Sequence, residues 1–183
     1  MPDQNPDRPI FERGTKAQKA VKPAIEDTCD YFLRDETLKK GMARLIELSR
    51  ELKMKPCWVQ INGYKCSYKG KGVVSYEIGG NNYTKDYLKI GLSLAEREDL
   101  ERVVLALPGD LREELLSKAG NRVTHCRVCH APSCGYGGSA AEIDGRKHYL
   151  CYRFTYMRRN PTPEQFETIE RFIKIRRDYI DGK

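Results

Sequence analysis

The sequence has no long hydrophobic run, because no stretch of its 183 residues approaches the roughly 18 consecutive apolar residues that a membrane-spanning helix needs. It shows no apolar segment after a basic start, and therefore no secretory signal. It also has no phosphate-binding loop, dinucleotide fingerprint, HExxH or GxSxG motif. These absences predict a globular protein without a membrane partner and favour a non-enzymatic function.

Disulfide bonds are not expected either. The chain has seven cysteines, an odd number. Without an export signal they are more readily explained as thiols or metal ligands than as disulfides, which persist in oxidising compartments. The cytoplasm is therefore the predicted location.

Positive charge exceeds negative charge. There are 33 lysines and arginines against 26 aspartates and glutamates, for a net charge of +7 at pH 7. The excess lies in residues 31–71 and 146–183, which carry +6 and +5, without a long block of consecutive basic residues. A solvated basic face is the ordinary interpretation, and a surface for an anion, a cofactor or nucleic acid is the alternative.

The first part of the chain predicts a leader followed by helices. Prolines and lysines are frequent in residues 1–23, which is typical of a flexible or loosely docked leader, and residues 24–183 are predicted to form a single domain. Apolar residues spaced three and four apart predict a helix over 36–54, with a weaker helical pattern over 24–34.

After Pro56 the apolar period changes from 3.6 to 2, which predicts an antiparallel meander. Asn62-Gly63 is a strong two-residue hairpin turn and would set Ile61 opposite Tyr64. Turns at the later glycine pairs predict two further strands. The predicted strands are 57–61, 64–68, 73–78 and 83–92.

The second half predicts more helices around a late hairpin. Ser93 and Glu96 form a capping-box pattern, and Thr162 with Gln165 forms another. The predicted elements are helices over 94–105 and 110–119, hairpin strands over 140–143 and 147–157, and a final helix after Thr162. The class is therefore α+β, with an antiparallel meander sheet packed by helices and a cysteine-rich metal-binding loop.

Four of the seven cysteines and all three histidines lie within residues 125–151, where no apolar periodicity explains them. A CxxC pair can hold one ion in a tight turn, and two further thiolates, one brought by the hairpin, can complete a tetrahedron. The predicted ligands are Cys126, Cys129, Cys134 and Cys151, with His130 and His148 as substitutes. Structural zinc is the predicted cofactor, and an iron–sulfur cluster is the alternative.

Other interpretations of this cluster stay open. Cys126 to His130 matches the CxxCH haem-attachment motif, but covalent haem attachment takes place outside the cytoplasm. A thioredoxin-like pair would stand at a helix N-terminus after a parallel strand, whereas this pair leads into Pro132 and several glycines. Unligated thiols are the simplest alternative.

Aromatic residues are frequent in the predicted strands. Core packing explains most of them, and Cys29, Cys57 and Cys66 are interpreted as small buried hydrophobic residues. A concave sheet lined by tyrosine hydroxyls could instead hold a small molecule, with Glu77, Glu142 or Arg153 fixing its orientation. The candidate ligand-binding residues are Trp58, Tyr64, Tyr68, Tyr76, Tyr152 and Arg153.

Nucleic acid is the alternative partner. The sequence pattern of the final helix predicts one apolar face. Four basic residues lie largely off that face, where they could neutralise phosphates. These candidate nucleic-acid-binding residues are Arg171, Lys174, Arg176 and Arg177.

Several short motifs carry a family resemblance. They are Lys53-Met54-Lys55-Pro56 before Trp58, Tyr68-Lys69-Gly70-Lys71, the cysteine cluster, Asn160-Pro161, and Arg176-Arg177-Asp178-Tyr179-Ile180. With these motifs the chain resembles a set of small cysteine-containing bacterial proteins of unassigned function. The resemblance implies a compact bacterial cytoplasmic fold and carries no chemistry over to this chain.

Together these patterns predict a cytoplasmic zinc-binding protein with a structural four-cysteine site and a sheet that binds a small molecule. A nucleic-acid-binding module that uses the basic segments 31–71 and 146–183 is the second hypothesis. An iron–sulfur or thiol redox enzyme is the third.

Overall fold

The computed structural model describes residues 7–80, 82–117, 138–151 and 155–182, and only the backbone of residues 138–141, 147, 149 and 151. After a 3-10 turn at Ile10–Glu12, the described helices are α1 (Thr15–Val21), α2 (Ile25–Phe32), α3 (Glu36–Glu51), α4 (Leu100–Leu105), α5 (Gly109–Leu116) and α6 (Pro163–Asp181). The strands are β1 (Cys57–Gln60), β2 (Gly63–Tyr68), β3 (Lys71–Ile78), β4 (Leu88–Leu92), β5 (Gly138–Ile143), β6 (Arg146–Cys151) and β7 (Tyr156–Arg159). Helices combined with antiparallel sheets confirm the predicted α+β class.

The main sheet is an antiparallel meander with one added strand. Its order is β1-β2-β3-β4-β7, whereas β5 and β6 form a separate hairpin. The single strand predicted over 147–157 is therefore wrong: β6 ends at Cys151, and β7 pairs with β4 instead. That pairing satisfies backbone N–H and C=O groups of β4 that would otherwise face outward from a sheet edge.

The first hairpin turns one residue earlier than predicted. Ile61 and Asn62 form the turn, and Asn62 adopts a left-handed φ of 49°. The predicted pairing of Ile61 with Tyr64 is therefore wrong, since the observed partners are Trp58 with Tyr64 and Gln60 with Gly63. Cys57, which is predicted to be buried, is exposed, and so is Val59.

The N-terminal segment explains this register. The Asn62 backbone N–H donates to Gln18 Oε1 at 2.9 Å, and its Nδ2 donates to the Phe11 carbonyl at 3.1 Å. Gln18 is fully buried and also donates to the carbonyls of Phe11 and Arg13. Residues 7–22, part of the predicted leader, thus form helical turns docked on β1 and on the turn that follows it, while the domain boundaries stay a prediction.

One face of the sheet packs against helices. α2 and α6 contact β3, and α3 contacts α2 and α6. α3 and α6 approach closely at Gly41, where an added Cβ would lie 2.3 Å from the Phe166 ring. The strand residues buried in this core are Tyr64, Cys66, Val74, Tyr76, Ile78, Leu88, Ile90, Leu92 and Tyr156.

The two capping patterns differ in outcome. Thr162 and Gln165 form the predicted capping box of α6. Ser93 and Glu96 start no helix, because α4 begins only at Leu100. The buried Leu94 N–H donates to Thr155 Oγ1 at 3.2 Å, and Glu96 pairs with Arg176, so tertiary partners replace the local cap.

Within the described ranges, every helix is too short or too polar to cross a bilayer.

Candidate functional site

A groove lies on the face of the main sheet opposite the helices. Side chains alternate along a strand, so Lys65, Ser75, Glu77 and Lys89 point away from the core residues that they separate. The groove is a cavity of about 550 Å³ bordered by β1, β2, β3, β4, the segment after β4 and one residue of α6. Its volume is in the usual range for small-molecule sites.

Several glycines border the groove. Gly70 and Gly72 border it beside the turn between β2 and β3, and Gly91 borders it on β4. A Cβ at Gly72 would lie 2.6 Å from Lys65 Cε and 2.9 Å from Lys65 Nζ. The Lys65 ammonium group therefore occupies space that any side chain at residue 72 would take.

Arg176 is the residue through which α6 reaches the groove. It is only 3% exposed. Its Nε donates to the Gly72 carbonyl at 3.2 Å, and its Nη2 donates to Glu96 Oε1 at 2.7 Å. The Tyr179 ring centroid lies 5.2 Å from its Cζ. Within the described part of the chain its buried Nη1 has no hydrogen-bond partner.

The other charged groups of the groove divide into a pair and two lysines. Lys89 forms an ion pair with Glu77. Lys65 and Lys71 are both exposed, and no described carboxylate lies within ion-pair distance of either. The Lys71 ammonium lies 6.0 Å from the Tyr179 ring centroid, so it approaches the ring that also contacts Arg176.

Two of the predicted ligand-binding tyrosines belong to the core and also border the groove. Tyr64 and Tyr76 are each 2% exposed. The Tyr64 hydroxyl donates to the Pro23 carbonyl at 3.0 Å, on the α2 side of the sheet, and burial raises its pKa to about 12. Burial also raises the pKa of Tyr76 well above its ordinary value.

The remaining predicted ligand-binding residues do not converge. Tyr68 is half-buried beneath Arg177, whose Cζ lies 3.4 Å from the ring centroid. Trp58 donates to Gln18 Oε1 at 3.3 Å and borders a second cavity of about 550 Å³ at the start of α2. Tyr152 and Arg153 lie outside the described residues.

The four predicted nucleic-acid-binding residues of α6 do not share one exposed surface. Arg171 and Lys174 are exposed, and Arg171 pairs with Asp110. Arg176 is buried beside Glu96, and Arg177 pairs with Asp181 as well as contacting Tyr68. The prediction that all four lie off the apolar face therefore misses the packing of the last two.

The predicted metal ligands fall mostly outside the described residues, which exclude Cys126, Cys129, His130 and Cys134. His148 lies on β6 and is half-buried, and the backbone of Cys151 pairs with that of Gly138. In the ranges that the structure covers, no three potential ligand side chains cluster, and Cys29, Cys57 and Cys66 are free thiols.

Tyr64, Tyr76 and Glu77, which the sequence predicts for a pocket on the sheet, border the groove, whereas Lys65, Lys71 and Arg176 are not predicted as ligand-binding residues. The alternation of Lys65, Ser75 and Glu77 with buried residues marks the outward face of a strand. The inward position of Arg176 has no such signal, because it depends on how α6 packs against Glu96 and Gly72.

The described fold and groove define an α+β protein with a glycine-bordered cavity on one face of its main sheet. Comparison with protein families, curated proteins and solved structures finds no match to this chain. Function is therefore argued from the geometry of the groove.

Proposed function

We propose that this protein is a non-enzymatic, cytoplasmic binding protein whose groove holds a small molecule. The observation that carries this proposal is the cavity of about 550 Å³ on the outward face of the sheet. Polar side chains at its border can orient a ligand, and the hydrogen-bonded strands give it a rigid base.

The chemistry of the border favours binding over catalysis. Its described residues include no histidine or cysteine. Both of its carboxylates are held by cations, Glu77 by Lys89 and Glu96 by Arg176. A general base or nucleophile needs a free, activated group, so this arrangement supports recognition.

A thermal-shift screen of small metabolites tests the proposal. Ser75→Trp places a large side chain in the middle of the groove, whereas Ser67→Trp makes the same change at an exposed position of β2 outside the groove. We expect at least one compound to raise the Tm of the wild type and of Ser67→Trp but not of Ser75→Trp. Equal stabilisation of Ser75→Trp would place binding elsewhere and contradict the proposal.

A structural zinc site is the second candidate function. The pairing of Gly138 with Cys151 supports it, because this hairpin register brings the end of the cysteine-rich segment beside the fourth proposed ligand. The proposed ligands remain Cys126, Cys129, Cys134 and Cys151, with His130 or His148 as substitutes. Four thiolates would close the coordination sphere and leave zinc a structural role.

Elemental analysis of the purified protein tests the zinc site. We expect about one zinc per chain in the wild type and in Cys57→Ser, whose thiol is exposed and outside the cluster, but much less in Cys126→Ser. Chelation should lower the Tm, since metal binding is coupled to folding. Unchanged zinc in Cys126→Ser would exclude this ligand set, and iron with visible absorption would favour the iron–sulfur alternative.

A further inference from the structure

We infer that the ligand of the groove carries a phosphate group, which binds between Lys65, Lys71 and Arg176. This inference rests on the proposed function and names the chemical class of its ligand. It is argued from three features of the site: an unpaired buried donor, the convergence of three cations, and the net charge around them.

Arg176 supplies the first argument. Its guanidinium group is almost fully buried, and two of its nitrogens are occupied by the Gly72 carbonyl and by Glu96. Nη1 is left without a described partner. A buried N–H that is not hydrogen-bonded costs free energy, so the arrangement calls for an acceptor that the described residues do not provide. Arg176 borders the groove, where a ligand oxygen could be that acceptor.

Three cations also converge on two residues, Gly72 and Tyr179. Arg176 donates to the Gly72 carbonyl, and the Lys65 ammonium lies over the Cα side of the same glycine. Arg176 and Lys71 both approach the Tyr179 ring. Like charges brought together repel each other unless an anion lies between them.

Charge balance supplies the third argument. Near Gly72, Glu96 offsets one of the three cations, and Asp99 is already engaged by Arg102 and by the Tyr179 hydroxyl. The Lys89–Glu77 pair is neutral. The remaining net charge of +2 matches a phosphate monoester dianion, whose three terminal oxygens can accept from separate donors.

Titration with inorganic phosphate, measured by calorimetry at constant ionic strength, tests the inference. Sodium acetate is titrated in the same way as the comparison anion. The variants are Lys65→Gln and Lys71→Gln, which remove exposed charges and leave the packed Arg176 in place. Lys174→Gln is the matched control, because it removes the charge of an exposed lysine of α6 outside the groove. We expect saturable phosphate binding to the wild type and to Lys174→Gln, and a Kd weakened by about tenfold in each groove variant.

The remaining outcomes separate the inference from the proposed function. Acetate binding as tight as phosphate binding, or an equal loss in Lys174→Gln, would overturn the phosphate assignment. Absence of phosphate binding would overturn it as well. In each of these cases the proposed function would still hold if a neutral compound raised the Tm of the wild type but not that of Ser75→Trp. Tight, salt-sensitive binding of a single-stranded oligonucleotide that needs Lys65 and Lys71 would replace the small phosphate by a nucleic acid.

Discussion

Buried thiols show most directly how single residues respond to this fold. Cys66 is fully buried on the face of the sheet that the helices cover, and burial raises the pKa of its thiol to about 11. Burial likewise raises the pKa of Cys29 to about 12. Both groups are therefore neutral in the folded protein at pH values where the unfolded chain would already have lost their protons.

The direction of the pH effect follows from these shifts. The stabilising contribution of Cys66 is complete below pH 9, its ordinary pKa, and is lost as the pH rises toward 11. In that window the free energy of unfolding should fall by roughly 1.4 kcal/mol per pH unit for this thiol. Urea unfolding at pH 8 and pH 10.5 should therefore show a smaller loss of stability for Cys66→Ala than for the wild type. Cys57→Ala, which changes an exposed thiol, should follow the wild type. Parallel pH dependence of the wild type and Cys66→Ala would contradict the assignment.

For single residues, the sequence predicts which side chains are buried better than it predicts their hydrogen-bond partners. Apolar spacing along α3 correctly predicts that Leu38, Met42 and Leu45 are buried. It does not predict the buried amide of Gln18, which satisfies groups on two other segments. Arg176 is missed for the same reason, because its hydrogen-bond partners are about 80 and 104 residues away along the chain.

α3 packs against α6 without free space at Gly41. Gly41 lies inside α3, where glycine is ordinarily less favourable than alanine by about 0.5–1 kcal/mol. Here an added Cβ would lie 2.3 Å from Cε2 and Cζ of Phe166, which is 5% exposed and has little room to move.

Gly41→Ala should therefore destabilise the protein by about 1–3 kcal/mol, the usual cost of overpacking, rather than stabilise it. Thermal or urea unfolding measures this change. The substitution should cost much less in a Phe166→Leu background, because the smaller side chain leaves room for the methyl group. A higher Tm for Gly41→Ala alone, or equal costs in both backgrounds, would show that this contact does not limit the packing of α3 and α6.

The existence of a helix or strand is predicted from the local sequence pattern. The errors in its bounds arise where tertiary contacts determine the backbone conformation. The cap of α6 and the strands β2 and β3 are predicted from adjacent residues. β4 begins at Leu88 instead of residue 83, because Tyr83 and Asp86 adopt left-handed φ values of 56° and 54°. Asp86 Oδ1 accepts from the backbone N–H groups of Arg34 and Asp35, which holds this segment against the end of α2.

For the whole molecule, the sequence predicts the class and the meander but not the full set of residues that form the groove. The α+β class follows from the change of apolar period after Pro56, a local signal. The groove instead combines β1, β2, β3, β4 and α6, so its residues are distant along the chain. Tyr64 and Tyr76 border the groove, but their buried rings fill the side of the sheet that the helices cover.

The outward face of the main sheet is the proposed ligand site. Amide chemical-shift mapping with the compound that most raises the Tm tests this assignment. We expect the largest shifts on residues that border the groove, including Lys65, Ser75 and Lys89, and we expect Ser75→Trp to abolish them. Shifts confined to the second cavity, around Lys22 and Lys53, would place the ligand there and rule out the groove.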